Sequence, residues 1–193
     1  MKTLYIVFNF FRLIPHLFLF FLHPKKNIIK YEVTRWLEIT NRSKNVIWGF
    51  LELMIFLPEF RNLFYYRIGK LSYLIRWMCP PMNTLYIKTK NIGPGLFIQH
   101  GFSTIITAKS IGDNCWINQQ VTIGYSNLVD CPVIGNNVSI NAGAKIIGNV
   151  IMGNGSVAGA NSVVVKNVPE NCTVVGVPAY IIRRNGKRVR KDL

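Results

Sequence analysis

The sequence predicts a mainly β fold, a solenoid of short stacked rungs preceded by an α-helical region. Three observations carry this. Aliphatic residues recur every six positions from Ile92 to Val164, a spacing that matches neither the helical 3.6 nor the strand period of two. Glycine follows the aliphatic residue in about half of these hexads. The residues before the repeat instead show apolar positions at helical spacing. The boundaries expected are a helical, basic and apolar region over 1–82, the repeat domain over 83–182, and a basic tail over 183–193.

The hexads open at Ile92, Ile98, Ile105, Ile111, Ile117 and Ile123, then at Ile134, Ile140, Ile146, Met152, Ala158 and Val164. The register shifts by one residue after Ile98 and by five after Ile123, and the last six openings need no adjustment. Glycine at the second position, as at Gly112 and Gly135, suits a chain that turns a corner every few residues. Four positions after the openings come mostly small or β-branched residues such as Val121, Ala144 and Ser162, which fit a narrow stacked interior. Each rung buries its apolar face only against its neighbours, so the ends need caps.

The net charge of +15 is unevenly placed. Residues 1–90 carry fourteen Lys/Arg and four Glu, residues 91–182 carry three basic and three acidic side chains, and residues 183–193 carry six basic against Asp192. A nucleic-acid binder would put a basic stripe on its folded domain, and here the repeat is neutral, so no nucleic acid is expected as partner. The four cysteines, Cys79, Cys115, Cys131 and Cys172, form no C-x-x-C pair; they predict buried thiols in a reducing compartment and no metal site.

The basic ends flank apolar segments. Leu4 to Leu22 is long enough to cross a bilayer but carries Asn9, Arg12, Pro15 and His16 near its middle. No small-x-small cleavage site follows it. It predicts a membrane-embedded or interfacial hairpin broken at Pro15, or a helix lying on the membrane surface. Val46 to Leu57 is too short to span. Pro58 then opens an amphipathic helix running to Met78, with Arg61, Lys70 and Arg76 off its apolar face and Arg67 on it. The expected location is cytoplasmic, peripheral to or embedded in the inner face of the cytoplasmic membrane.

The motifs Gly95-Leu96-Phe97-Ile98-Gln99-His100-Gly101, Thr122-Ile123-Gly124, Ile140 to Asn149 (INAGAKIIGN), Gly159 to Lys166 (GANSVVVK) and Gly176-Val177-Pro178-Ala179 resemble the hexapeptide-repeat acyltransferases. Within that family the chain is similar to the serine acetyltransferase branch and its sugar O-acetyltransferase relatives. The resemblance implies a left-handed parallel β-helix of three hexads per turn, an exception to the usual right-handed crossover. It also implies a homotrimer with acetyl-CoA bound between subunits as co-substrate.

Moving an acetyl group from a thioester to an alcohol needs a base, because a hydroxyl is a weak nucleophile until its proton is being removed. Of the three histidines, His16 lies in the apolar run and His23 in its basic flank; only His100 lies in the repeat, at the family's catalytic position. By resemblance, Ala142 and Ala160 sit at tight corners that the cofactor's pantetheine arm approaches, with Lys166 and Arg183 near its phosphates. A backbone N–H would hold the oxyanion, with Gly124 as the candidate. Cys131 as an acyl-carrying nucleophile is a weaker alternative, with no second histidine nearby in sequence to activate it.

Three positions depart from the serine enzymes and bear on the acceptor. Their aspartate before the catalytic histidine is Gln99 here, their orienting aspartate fifteen residues before it is Leu85, and their Arg-His-Pro triplet is Asp130-Cys131-Pro132. Gln99, Asp130 and Cys131 are therefore the acceptor-site candidates. Serine's ammonium would lose an anionic partner and its carboxylate would meet an anion, penalties a neutral sugar hydroxyl escapes. The leading expectation is an O-acetyltransferase acting on a carbohydrate of a surface polysaccharide or its lipid-linked precursor. L-serine O-acetyltransferase is the alternative, and an inactive β-helix scaffold at the membrane a third.

Overall fold

The computed structural model describes residues 2–42 and 45–193 and divides the chain into two compact units, Met1–Asn83 and Thr84–Leu193. The first is helical: α1 (Lys2–Leu22), α2 (Lys26–Ile39), α3 (Val46–Phe56), α4 (Pro58–Ile68) and the short α5 (Ser72–Ile75). Its core is aromatic. Phe50 stacks on Phe20 at 4.7 Å and meets Phe64 edge-on at 5.2 Å, and Trp36 packs edge-on against Phe60.

Pro15 does not break α1, which runs unbroken from Lys2 to Leu22, so no hairpin forms there. Proline removes one ladder hydrogen bond and crowds the preceding turn. Leu13 and His16 beside it, with Ile6 and Phe20, form a stripe buried in the core on both sides of the proline, and that packing holds the helix together. Most of the other side chains of α1 are exposed and apolar. Among the described residues, Thr3–Leu22 is the one helical segment long and apolar enough to cross a membrane.

The amphipathic helix expected over Pro58 to Met78 is also corrected. Pro58 opens α4 at its first turn, but α4 stops at Ile68 because Gly69 takes φ +61°, ψ −131°, a conformation only glycine adopts without strain. A 3-10 turn over Gly69–Leu71 and then α5 follow. Arg67 lies on the apolar face as the spacing predicts, yet it is not a surface cation: it is buried and grips Glu32 through bonds of 2.6 to 3.2 Å.

The second unit is a parallel β-solenoid of about five turns. Its first face stacks β1 (Leu85–Ile87), β3 (Thr104–Ile106), β6 (Thr122–Gly124), β9 (Lys145–Ile147) and β12 (Val163–Val164). A second holds β4 (Ser110–Ile111), β7 (Val133–Ile134) and β10 (Ile151–Met152). The third holds β2 (Phe97–Ile98), β5 (Trp116–Ile117), β8 (Ser139–Ile140), β11 (Val157–Ala158) and β13 (Cys172–Val175), and continues antiparallel into β14 (Tyr180–Arg184) and β15 (Lys187–Asp192). The basic end of the chain is thus a hairpin, closed at Asn185-Gly186 with φ of +48° and +76°, and not a loose tail.

Register explains the spacing. Ile98, Ile117, Ile140 and Ala158 stack on the third face, and Ile106, Ile123, Ile146 and Val164 on the first; all are buried. One expected hexad opening is corrected. Ile105 is 42% exposed, and Ile106 points inward and pairs with Ile123. The shift after Ile98 is therefore two residues, recovered by one before Ile111.

Candidate active site on the edges of the solenoid

Three edges separate the three faces, and the site candidates other than Arg183 fall on two of them. The edge between the third and first faces is a short corner in most turns. Asn118 to Val121 joins β5 to β6, with Gln120 turning the chain at φ +59°. Gly143 and Asn161, with φ of +74° and +56°, turn the same corner in the next rungs of the coil. In the first turn this corner is longer. Gln99 N–H donates to Ile117 O, so Gln99 stacks on Asn118, while Gln120 N–H donates to Phe102 O, so Gln120 stacks on Ser103. His100 and Gly101 are the two extra residues. Both have positive φ, +64° and +51°, and His100 bulges outward and exposed. A histidine held in this sparsely populated region is the kind of local strain that functional sites carry.

The same edge carries Ala142 and Ala160. By register they continue the column of Phe102 and Gln119, and the carbonyl of Ala142 accepts from Asn161 N–H at 2.9 Å. Ala142 is half-buried and Ala160 exposed, so small side chains leave the backbone of this corner open to a ligand. Gln99 is half-buried with its Oε1 accepting from Trp116 Nε1 at 3.2 Å, which turns its amide along the outer face of the third sheet.

Sequence reasoning missed two residues here. The side-chain oxygens of Asn118 and Gln119 are buried without a hydrogen-bond partner in the corner stacked on Gln99 to Ser103. The signal was available: these residues follow β5 as Gln99 and His100 follow β2.

Gly124, Asp130 and Cys131 stand on the edge between the first and second faces. Gly124 ends β6, pairs in register with Ile147, and its carbonyl accepts from Gly148 N–H at 3.0 Å. A three-residue strand of about 10 Å separates this edge from the corner of His100. An oxyanion donor must lie about 3 Å from the reacting oxygen, so Gly124 and His100 of one chain do not serve one carbonyl group.

The loop from Tyr125 to Pro132 follows. Asn127 organises it, its Oδ1 accepting from the N–H groups of Val129 and Asp130 and its Nδ2 donating to Asp130 Oδ2 at 2.7 Å. The Asp130 carboxylate is held by its own loop. Cys131 is buried with its thiol toward Thr107 O, and its hydrogen bond with Tyr125 raises the phenol above its ordinary pKa. Leu128 and Val129 at the tip are 97% and 80% exposed.

Lys166 follows β12 and donates from Nζ to the main-chain oxygen of Leu193 at 2.7 Å. Beside it a cleft of about 470 Å³ opens between Val165, Val177, Ala179 and Asp192. Arg183 is exposed on β14, in register with Thr173 on one side and Arg188 on the other. Both cations stand at the C-terminal end of the coil.

A short-rung parallel solenoid with a single histidine bulging from one edge defines a hexapeptide-repeat β-helix. In fold and sequence the chain is similar to the serine acetyltransferase-like branch of the hexapeptide-repeat acyltransferases. A serine acetyltransferase of Synechococcus elongatus is 35% identical over 153 residues, covering 72% of this chain and 63% of its own length. The chain therefore spans less than two thirds of that relative. Among solved structures, a serine acetyltransferase of Brucella abortus in complex with coenzyme A matches with a TM-score of 0.64 at 26% identity, covering 88% of this chain and 71% of that one. The Neisseria gonorrhoeae serine acetyltransferase in complex with serine matches with a TM-score of 0.63 at 27% identity, covering 80% and 67%. No protein-family model matches the chain.

Proposed function

We propose that this protein is an acetyl-CoA-dependent O-acetyltransferase with His100 as general base. The observation that carries the proposal is the two-residue enlargement of one corner, which swings out the repeat's only histidine on the edge that also bears Ala142 and Ala160. The neutral imidazole takes the proton of the acceptor hydroxyl as its oxygen attacks the thioester carbonyl carbon. The C–S bond then breaks, and the coenzyme A thiolate leaves with the proton returned by the imidazolium. The acetyl group moves directly and no enzyme nucleophile is required. Cys131 is ill-placed as one, buried under its loop and facing a carbonyl.

The relatives make L-serine the first acceptor to assign, and this replaces the carbohydrate as the leading reading. A sugar hydroxyl stays as the second reading on one observation. Gln99, tied to Trp116, has no negative charge for the ammonium of serine, and Asp130, tied to Asn127, has no positive charge for its carboxylate. The site also favours a homotrimer, because His100 and Gly124 lie on different edges and a neighbouring copy would bring the second edge to the first.

The test is thiol release from acetyl-CoA with L-serine, hexoses and N-acetylhexosamines under one set of conditions. Turnover with L-serine at kcat/KM of about 10⁴ M⁻¹s⁻¹ or more assigns serine. Turnover confined to the sugars assigns the second reading. His100→Ala lowers kcat roughly 10²- to 10⁴-fold with the productive acceptor, and full activity in that variant removes His100 from the mechanism. No thioester consumption with any acceptor supports the scaffold.

A further inference from the structure

We infer that the helical unit docks on an anionic lipid bilayer through one continuous apolar face formed by the outward side of α1 and by the segment around α5. Leu4, Phe8, Phe11, Phe18 and Leu22 recur at helical spacing along α1 and are all exposed, Phe8 and Phe11 by 76% and 79%. Beyond α4, Tyr73, Leu74 and Trp77 are exposed by 65% to 72%. The two stretches are one surface, since Ile14, Pro15 and Phe18 line the same groove as Leu71, Leu74 and Ile75. A monomer rarely leaves so large an apolar area to water.

Charge selects the occupant. Among the described residues of this unit, Arg12, Lys25, Lys26, Lys30, Lys70 and Arg76 are exposed, whereas Glu38 is the one exposed acid. Glu32 is bound by Arg67 and Glu52 by Arg42, and Glu59 is buried. A second copy laid on this face would set cations against cations. Anionic headgroups complement them, and each Lys or Arg near such a surface contributes on the order of 1 kcal/mol.

The chemistry of the face agrees. Asn9 donates to Tyr5 O and Arg12 to Asn9 Oδ1, so the polar side chains of α1 enter the interface already bonded. Tyr73, with Arg76 stacked over its ring at 4.3 Å, and Trp77 suit the headgroup level, where aromatic rings with polar tips gather. At the end of α1 the face continues past Phe21 into a cleft of about 490 Å³ whose floor is Phe20, Val46 and Ile47 and whose lysines are Lys26 and Lys30. That combination fits a phospholipid's phosphate with its acyl chain below. The buried stripe of Ile6, Leu13, His16 and Phe20 faces the protein, so α1 lies along the bilayer and does not cross it.

The experiment uses the full chain with vesicles of phosphatidylcholine alone and with phosphatidylglycerol added. Sedimentation with the anionic vesicles is expected, with quenching of tryptophan emission by brominated lipid that is lost in Trp77→Phe. The triple variant Phe8→Ser, Phe11→Ser, Trp77→Ser, all exposed positions, is expected to lower partitioning about tenfold or more, with circular dichroism and molecular mass unchanged. Three results overturn the inference. They are no sedimentation with either vesicle, binding that the triple variant leaves intact, and a fall in molecular mass in the triple variant, which would assign the face to a second copy. Quenching is read on the unaltered protein, so it decides the matter even if the variant fails to fold.

Discussion

His16 is fully buried inside the helical unit, its Nε2 bonded at 2.9 Å to the hydroxyl of Tyr65, which donates in turn to Cys79 O at 2.6 Å. Because the Tyr65 proton is committed to that carbonyl, the neutral imidazole donates through Nε2–H and carries no proton on Nδ1. Burial lowers its pKa to about 4, and the nearby Arg12 charge acts in the same direction. As pH falls below 6.5 the unfolded chain takes up the proton first, while the folded ring resists until about pH 4. The resulting stability is complete above pH 6.5, declines between 6.5 and 4, and is gone below. Its size is on the order of 3 kcal/mol. Urea denaturation followed by circular dichroism across this window is expected to show the decline, and His16→Gln to flatten it. The sequence placed His16 in an apolar run, but Tyr65, its partner, lies 49 residues away. The Glu32–Arg67 pair was hidden for the same reason. Helical spacing puts Arg67 on the apolar face, and only the folded unit supplies the carboxylate without which a buried guanidinium is strongly destabilising.

At the scale of the element, the period of the solenoid was legible but its corners were not. Gly112 and Gly135, expected to turn them, have no left-handed φ, and what they provide is room, since a Cβ there would run into the next rung. The edge between the second and third faces turns on left-handed residues Asn114, Asn137, Gly155 and Asn171, with φ from +52° to +65°. Asparagine tolerates this region and β-branched residues do not. A second ladder runs beside it, Asp113 N–H donating to Asn136 Oδ1 and Asn136 N–H to Asn154 Oδ1, both at 2.8 Å. Asn137→Val is expected to lower stability by about 1–2 kcal/mol and Asn137→Gly to change it little, as thermal denaturation would report. If both variants melt alike, the backbone at this corner is not what selects asparagine. The enlarged corner at His100 was only partly legible. Ile105 and Ile106 are adjacent aliphatic residues, so the sequence fits either one to the interior. Pairing with β6 decides for Ile106 and fixes the insertion at two residues.

At the scale of the whole molecule, the acyl-transfer candidates stand on the solenoid, which is neutral over residues 91–182, and the apolar face stands on the basic helical unit. The distribution of candidates over two edges predicts a homotrimer. Light scattering on the purified protein is expected to give the mass of three chains, unchanged in His100→Ala, and a monomer at micromolar concentration would refute the shared site. The sequence by itself determined the solenoid, its period of six and the single histidine of the coil. All of these depend on residues a few positions apart, which rung-to-rung stacking repeats without regard to the rest of the chain. Only the tertiary structure decided that α1 runs unbroken through Pro15, that Arg67 meets Glu32, that Lys166 reaches the chain's last residue, and that His100 and Gly124 turn to different edges. Those outcomes depend on packing and pairing between residues far apart in sequence, where periodicity carries no information and the fold alone sets the distance.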